Sequence, residues 1–251
     1  MNIKEKFLQL TTKTYPHGTE SELICHLPEG YLGDGFGNFY IKVGENPTTM
    51  FTCHLDTASA FNQPVNHVFV DNFIKTDGSS ILGADDKAGM VVLLNMIESG
   101  VSGLYFFFVG EERGCIGSSK LAENWEIFDP KKTITKCVSF DRRGTSSVIT
   151  EQIYGPCCSI EFATALSRML NEKNDNFNYR PDPTGIYTDS AQFTQLILEC
   201  TNISVGYYNE HSVSEKQDIK HLEQLCDVVC KIDWESLPVV RVQVAGSGDY
   251  Y

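Results

Sequence analysis

Short apolar runs, separated by stretches of helical periodicity, constrain this chain more than any other feature. The runs are Thr48–Cys53, Leu104–Gly110, Lys136–Phe140 and Asn202–Tyr207, each the length of a buried strand and far short of a membrane span. Between them the spacing predicts amphipathic helices. One runs from a cap at Asp85 or Asp86 to Glu98, with Met90, Leu93, Leu94 and Ile97 on one face. Others cover Ser118–Asn124, Cys158–Asn171, Thr188–Leu196 and Ile219–Trp234. Ile3–Thr14 and Thr19–His26 read as helices ahead of a strand at Gly35–Val43. His67–Thr76 reads as a hairpin and Ser147–Gln152 as a further strand. Strands alternating with helices imply an α/β fold, a mixed and largely parallel sheet flanked by helices. The expectation is a single domain over residues 1–240, followed by a flexible tail at 241–251.

The chain has 251 residues, with 20 Lys plus Arg against 33 Asp plus Glu, for a formal charge of −13. Such a balance repels phosphate backbones and argues against nucleic acid as a partner. No segment reads as a membrane span or a signal peptide. Nine cysteines at irregular positions form neither a zinc knuckle nor a disulfide framework. Reduced thiols and a cytoplasmic location are therefore expected.

In an open α/β sheet, ligands collect beyond the carboxyl ends of the strands. The residues that follow the apolar runs are His54, Glu111-Glu112, Asp141 and, after Asn209-Glu210, His211. Asp85 sits at the expected start of a helix, where the dipole favours an anion. Converging carboxylates raise one another's proton affinity, and divalent cations remove that penalty. Histidine and carboxylate donors without thiolate point to two zinc ions, with cobalt or manganese as alternatives. Of the adjacent Glu111 and Glu112, one can bind metal while the other serves as general base.

In order and context, His54-Leu-Asp56, Gly83-Ala-Asp85-Asp-Lys-Ala-Gly89, Gly110-Glu111-Glu112, Asp141, Thr188-Asp189 and Asn209-Glu-His211-Ser form one pattern. It resembles the co-catalytic zinc exopeptidases of the MH clan, peptidase families 20 and 28, over nearly the whole chain. The resemblance implies a zinc exopeptidase-like α/β/α sandwich. It implies metal ligands at His54, Asp85, Glu112, Asp141 and His211, with Asp85 bridging the two ions. It makes Glu111 the general base and Asp56 the catalytic carboxylate that orients His54. The implied reaction is hydrolysis of a peptide bond by a water or hydroxide bridging the metals, without an acyl-enzyme. The interval between Asp141 and His211 leaves no room for the lid inserted in family 20. The chain therefore resembles a lidless catalytic domain, and a monomer is favoured.

A small peptide is the implied substrate, cut by an aminopeptidase or a di- or tripeptidase. Arg142, Asp189 and Tyr208 are the candidate substrate contacts: Arg142 for a carboxylate or carbonyl oxygen, Asp189 for an amine, Tyr208 for the oxyanion. His17, His26, His67 and His221 lack strand-end context and are read as non-ligands. An N-acyl amino-acid deacylase or amidase on the same site is one alternative. A non-catalytic binding descendant and a glutaminyl-cyclising enzyme are the others.

Overall fold

The computed structural model describes residues 2–242. At its centre lies an eight-stranded sheet. In chain order its strands are β1 (Leu32–Gly33), β2 (Phe39–Val43), β3 (Thr49–His54), β4 (Gly103–Phe108), β5 (Lys136–Arg142), β6 (Ser147–Ile149), β7 (Arg180–Asp182) and β8 (Glu199–Ser204). Their order across the sheet is β1-β2-β4-β3-β5-β8-β6-β7. The central strands β4, β3, β5 and β8 run parallel, while β2 joins β4 and β6 joins β8 in antiparallel fashion. A mixed, largely parallel sheet is what the alternating runs predict.

Successive residues of the central strands feed two separate cores. Met50, Leu104, Phe106, Phe108 and Cys137 pack on one face of the sheet. Phe51, Cys53, Tyr105, Phe107, Val138 and Phe140 pack on the other. A strand covered on both sides reads as a continuous apolar run, which is why these segments stand out in the sequence. The helices are α1 (Ile3–Leu10), α2 (Ala84–Glu98), α3 (Ile116–Glu123), α4 (Ile160–Glu172) and α5 (Ile219–Val229), with one further turn at Trp125–Phe128. Helix α2 lies on β3 and β5 and is covered in turn by α1 and α5. It is therefore buried almost all round, so it carries apolar or small residues on every side. At Gly89 a Cβ would stand 2.3 Å from the Phe140 carbonyl oxygen. Only glycine lets the start of α2 come this close to the end of β5.

Several predicted boundaries move. Asp85 and Asp86 have non-helical torsions. The regular turns begin after them, with Asp86 Oδ1 accepting the Gly89 N–H at 3.0 Å. Of the two proposed caps, Asp86 is the one that acts as a cap. Helix α1 ends at Leu10, where the Thr11 hydroxyl turns back onto the Phe7 carbonyl at 2.8 Å. The closing helix stops at Val229, and Trp234 begins a separate turn whose indole N–H donates to the Val229 carbonyl at 3.0 Å. Thr188–Leu196 contracts to a 3-10 turn at Asp189–Phe193. The strand expected at Ser147–Gln152 splits: β6 stays in the main sheet, and Glu151–Gln152 pairs with Gly155–Pro156 as a small ribbon.

Of the expected tail, residues 243–251 lie outside the described residues, but Arg241 is anchored. Its N–H donates to Glu199 Oε1 and its guanidinium to the Ile197 carbonyl, both at 2.9 Å. No helix among the described residues is long and apolar enough to cross a membrane.

Candidate metal centre and cleft

The strand ends deliver their polar residues to one place. His54 is the last residue of β3, Asp141 sits near the end of β5, and Glu111-Glu112 form a turn just past β4. His211 comes from the loop after Tyr207–Tyr208, with positive φ of 61°. Asp85 enters from the start of α2 and stands between the two imidazoles. Its Oδ1 is 3.0 Å from His54 Nε2 and its Oδ2 is 3.1 Å from His211 Nε2. Asp141 Oδ1 lies 3.6 Å from His54 Nε2, and Glu112 Oε1 lies 2.9 Å from His211 Nε2. Two donor sets result, His54–Asp85–Asp141 and Asp85–Glu112–His211, each with its ligand atoms within 4.8 Å of one another. They share Asp85, one oxygen to each set.

The surroundings hold these groups in place. Asp56 sits behind His54, with its carboxylate 3.3 Å and its carbonyl 3.1 Å from Nδ1. The same carboxylate accepts the Glu111 N–H at 3.0 Å and the Glu112 N–H at 3.1 Å. One buried carboxylate thus fixes a ring and the adjacent glutamate turn together. Asn202 pairs with the Asp141 backbone in both directions, at 2.9 and 2.8 Å. The Thr188 hydroxyl donates to Asp141 Oδ2 at 2.5 Å and the Tyr207 hydroxyl to Oδ1 at 3.1 Å. Glu215, buried, accepts the N–H of Gly83 at 2.7 Å and of Asp85 at 3.0 Å. The buried Lys87 ammonium donates to the Asp56 carbonyl at 3.2 Å.

Proton affinities are shifted throughout. Burial opposes a charged His54, yet Asp141, Asp56 and Asp85 outweigh it and hold the imidazole well above its ordinary value. The hydrogen bond to Asp85 and the close Glu112 carboxylate lift His211 to about 11. Asp85 falls below the usual carboxylate range, because contact with both histidines overcomes its burial. Burial and the neighbouring Asp85 raise Asp141 to about 6. Burial also carries Glu111 well above its ordinary value, with Asp141 and Asp189 adding to the effect.

The donor set fits divalent cations. Protons on the imidazoles stand where a cation would neutralise the carboxylates, and metal binding would displace them. Glu112 Oε1 is buried without an aligned hydrogen-bond donor, although His211 Nε2 is only 2.9 Å away. Two donor atoms so close yet misaligned suit a shared ion better than a shared proton. Nitrogen and oxygen donors without thiolate suit zinc. Glu111 Oε2, at 3.9 Å from His54 Nε2, reaches the same space, and His54, Glu111 and Glu112 form a further set of adjacent donors.

The candidate substrate contacts behave differently. Arg142 lines the cleft, but its Nη2 donates to the carbonyl and hydroxyl of Thr184, at 3.1 and 3.0 Å. Asp189 is buried and accepts from the Ser118 hydroxyl at 2.5 Å, so the structure does not place it against a substrate amine. Burial lifts it to about 8. Tyr208 is not among the cleft-lining residues, and its ring packs against Phe73 and Lys216. Its neighbour Tyr207 lines the cleft instead, because successive strand residues point to opposite sides. The sequence reading singled out neither Tyr207 nor Glu215; the strand alternation could have flagged Tyr207. His17 lies beside Glu20 and Asp56, within ligand distance. However, both Asp56 oxygens already accept from backbone, and Glu20 accepts from His17 at 2.7 Å and the Gly18 N–H at 2.6 Å.

Comparison with known proteins places this geometry. A Bacillus subtilis (strain 168) protein described as uncharacterized protein YqjE is 38% identical over 99 residues, which is 36% of this chain. The match spans about a quarter of that relative, 26% of its length. Among solved structures, a tripeptidase from Staphylococcus aureus superposes with a TM-score of 0.73 at 16% identity, covering 92% of this chain and 96% of that one. The aminopeptidase PepT from Bacillus cereus gives 0.71 at 15% identity, covering 91% and 96%. The TET1 peptidase of Pyrococcus horikoshii, described as assembling into a tetrahedron or an octahedral shell, gives 0.64 at 15%, covering 91% and 98%. At these identities the superpositions show a shared fold. Residues 40–245 match the model of peptidase family M28, and the chain belongs to that family.

Proposed function

We propose that this protein is a metal-dependent exopeptidase, an aminopeptidase or a di- or tripeptidase acting on short peptides. The observation that carries this reading is the pair of histidine–carboxylate sets sharing Asp85 at the floor of a cleft of about 330 Å³. His54, Asp141 and Asp85 would hold one zinc ion, and Asp85, Glu112 and His211 a second, with cobalt or manganese able to replace them. Bound there, the metals would polarise the scissile carbonyl and stabilise the charge that develops on its oxygen.

The chain's own groups do the rest. Asp56 holds the His54 ring and keeps the glutamate turn at one height. Glu111, buried and of raised proton affinity, takes the proton from the attacking water and passes it to the departing amine. The nine cysteines are free, which suits a reducing compartment, and a cytoplasmic location is proposed on that ground. A monomer is the proposed state, and light scattering on the purified protein checks it.

The decisive experiment is a screen of dipeptides and aminoacyl-amides against zinc-loaded protein. Turnover that a chelator abolishes and zinc or cobalt restores is the expected result. Turnover that survives complete metal removal would overturn the reading. N-acylated substrates preferred over free amino termini would shift it to a deacylase.

A further inference from the structure

A second imidazole–carboxylate pair, His17 with Glu20, lies beside the glutamate turn, and neither donor set employs it. Glu20 is only 4% exposed. A carboxylate so buried persists only where partners offset its lost hydration. Its partners are local: Oε2 accepts the Gly18 N–H at 2.6 Å, and Oε1 lies 2.7 Å from His17 Nδ1. The segment that carries the pair is tied to the chain just past β3. The Thr57 N–H donates to the Tyr15 carbonyl at 2.8 Å, and the Tyr15 N–H to the Thr57 hydroxyl at 3.2 Å. Glu20 therefore fixes the His17 ring, and Thr57 fixes the backbone on which both stand.

These ties bring the ring against Gly110. A Cβ on Gly110 would stand 3.0 Å from both Cε1 and Nδ1 of His17, and 3.1 Å from Ile116 Cβ. Gly110 has a left-handed φ of 68° and opens the turn that carries Glu111 and Glu112. One His17 nitrogen also lies within 4.8 Å of an oxygen of Asp56, the carboxylate that takes both glutamate N–H groups. Within the turn little freedom is left. The Glu111 carbonyl accepts the N–H groups of Gly114 and Cys115, both at 2.9 Å, and its Oε1 accepts the Cys115 thiol at 3.7 Å. A turn so closed on itself shifts as a body, and its height against β3 depends on what holds it from outside. Asp56 holds the N–H groups, and His17 packs on the Gly110 end.

We infer that His17, braced by Glu20, is a positioning residue that sets the height of the Glu111 turn. Its effect on turnover rests on the exopeptidase reading above, whereas the placement of the turn does not. A reacting group misplaced by about 1 Å can cost on the order of 10²-fold in rate, even when the change lies away from the chemistry.

Zinc-loaded wild type is compared with His17→Ala, Glu20→Ala, the double variant and His17→Asn, whose amide nitrogen can take the place of Nδ1. His17→Ala should lower kcat on leucinamide by about tenfold or more, with KM and zinc content at wild-type values. The double variant should be no worse than either single one, because the two residues act as one brace. His17→Asn should recover most of kcat. The His17 side chain is 36% exposed, so its variants should keep the wild-type melting profile. Hydrogen exchange supplies a readout independent of turnover. In His17→Ala the peptides covering residues 109–116 should exchange about tenfold faster than in wild type, with those of β4 and α2 unchanged. Exchange at the turn equal to wild type would overturn the proposal whatever kcat did, and so would unchanged kcat in an active enzyme. Faster exchange throughout the chain, or loss of zinc, would assign the effect to the fold or the metal and overturn it too. Faster exchange confined to the turn, in a protein that hydrolyses no peptide, would support the brace while removing the peptidase reading.

Discussion

His54 and His221 have almost no solvent exposure, 1% and 6%, yet their surroundings drive them in opposite directions. His54 is ringed by Asp56, Asp85 and Asp141, and the carboxylates hold a proton on it despite burial. His221 lies in the first turn of α5, against Phe177 and Tyr179, with the Tyr179 hydroxyl 2.8 Å from Nε2. There burial dominates and depresses the imidazole to about 4. Burial alone does not decide what a histidine is for. The neighbours make one a place where protons and cations compete, and the other a neutral part of the core.

Glu111→Gln should produce the largest effect on the His54 side. Removing a general base typically costs 10²–10⁴-fold in rate. Zinc content by atomic absorption should stay at the wild-type level, and full activity would assign the base elsewhere.

Next in size is the pH response on the His221 side. Its folded value lies below the unfolded 6.5, so its stabilising contribution is complete above pH 6.5 and lost as pH falls toward 4. The loss amounts to about 3 kcal/mol for a shift of this size. Thermal melts between pH 7 and 4 should show His221→Gln losing less stability than wild type. For metal-free His54 the sign reverses. Its raised value gives stability that is full below pH 6.5 and lost as pH rises through the folded value.

Asp56→Asn should weaken zinc binding by about 10–100-fold, the usual consequence of removing a ligand's hydrogen-bond partner. Competition against a chromogenic chelator reads this directly. The smallest effect belongs to Arg143→Ala. Its pair with Glu210 is open to solvent, so denaturant melts should shift by no more than about 1 kcal/mol.

The His54 side of this comparison was largely legible in the sequence. An apolar run ended by a histidine or acid fixes both the strand and the edge at which its last side chain emerges. The same logic gave the parallel sheet. It failed where no period exists. Tyr207 and Tyr208 differ by one step in a two-residue strand, and that step decides which ring enters the cleft. Asp189 lies beside the site in sequence pattern, but the tight turn directs its carboxylate inward to Ser118. Glu215 grips the loop before Asp85 from 130 residues away, and no local spacing announces such a contact. Residues 183–187, of which Gly185, Ile186 and Tyr187 line the cleft, are likewise irregular backbone, held by Arg142 and Asp182 through Thr184.

The sharing of Asp85 has a consequence for how the protein is activated. Each of its oxygens faces a different imidazole, so neither donor set can be rearranged without disturbing the other. A cation held by one donor set therefore bears on the other through the shared carboxylate, and it competes with protons for the imidazoles. Acidity and metal supply then act on the same step. Lowering either pH or the supply of divalent cation would then act at the same donor atoms, with no separate inhibitor.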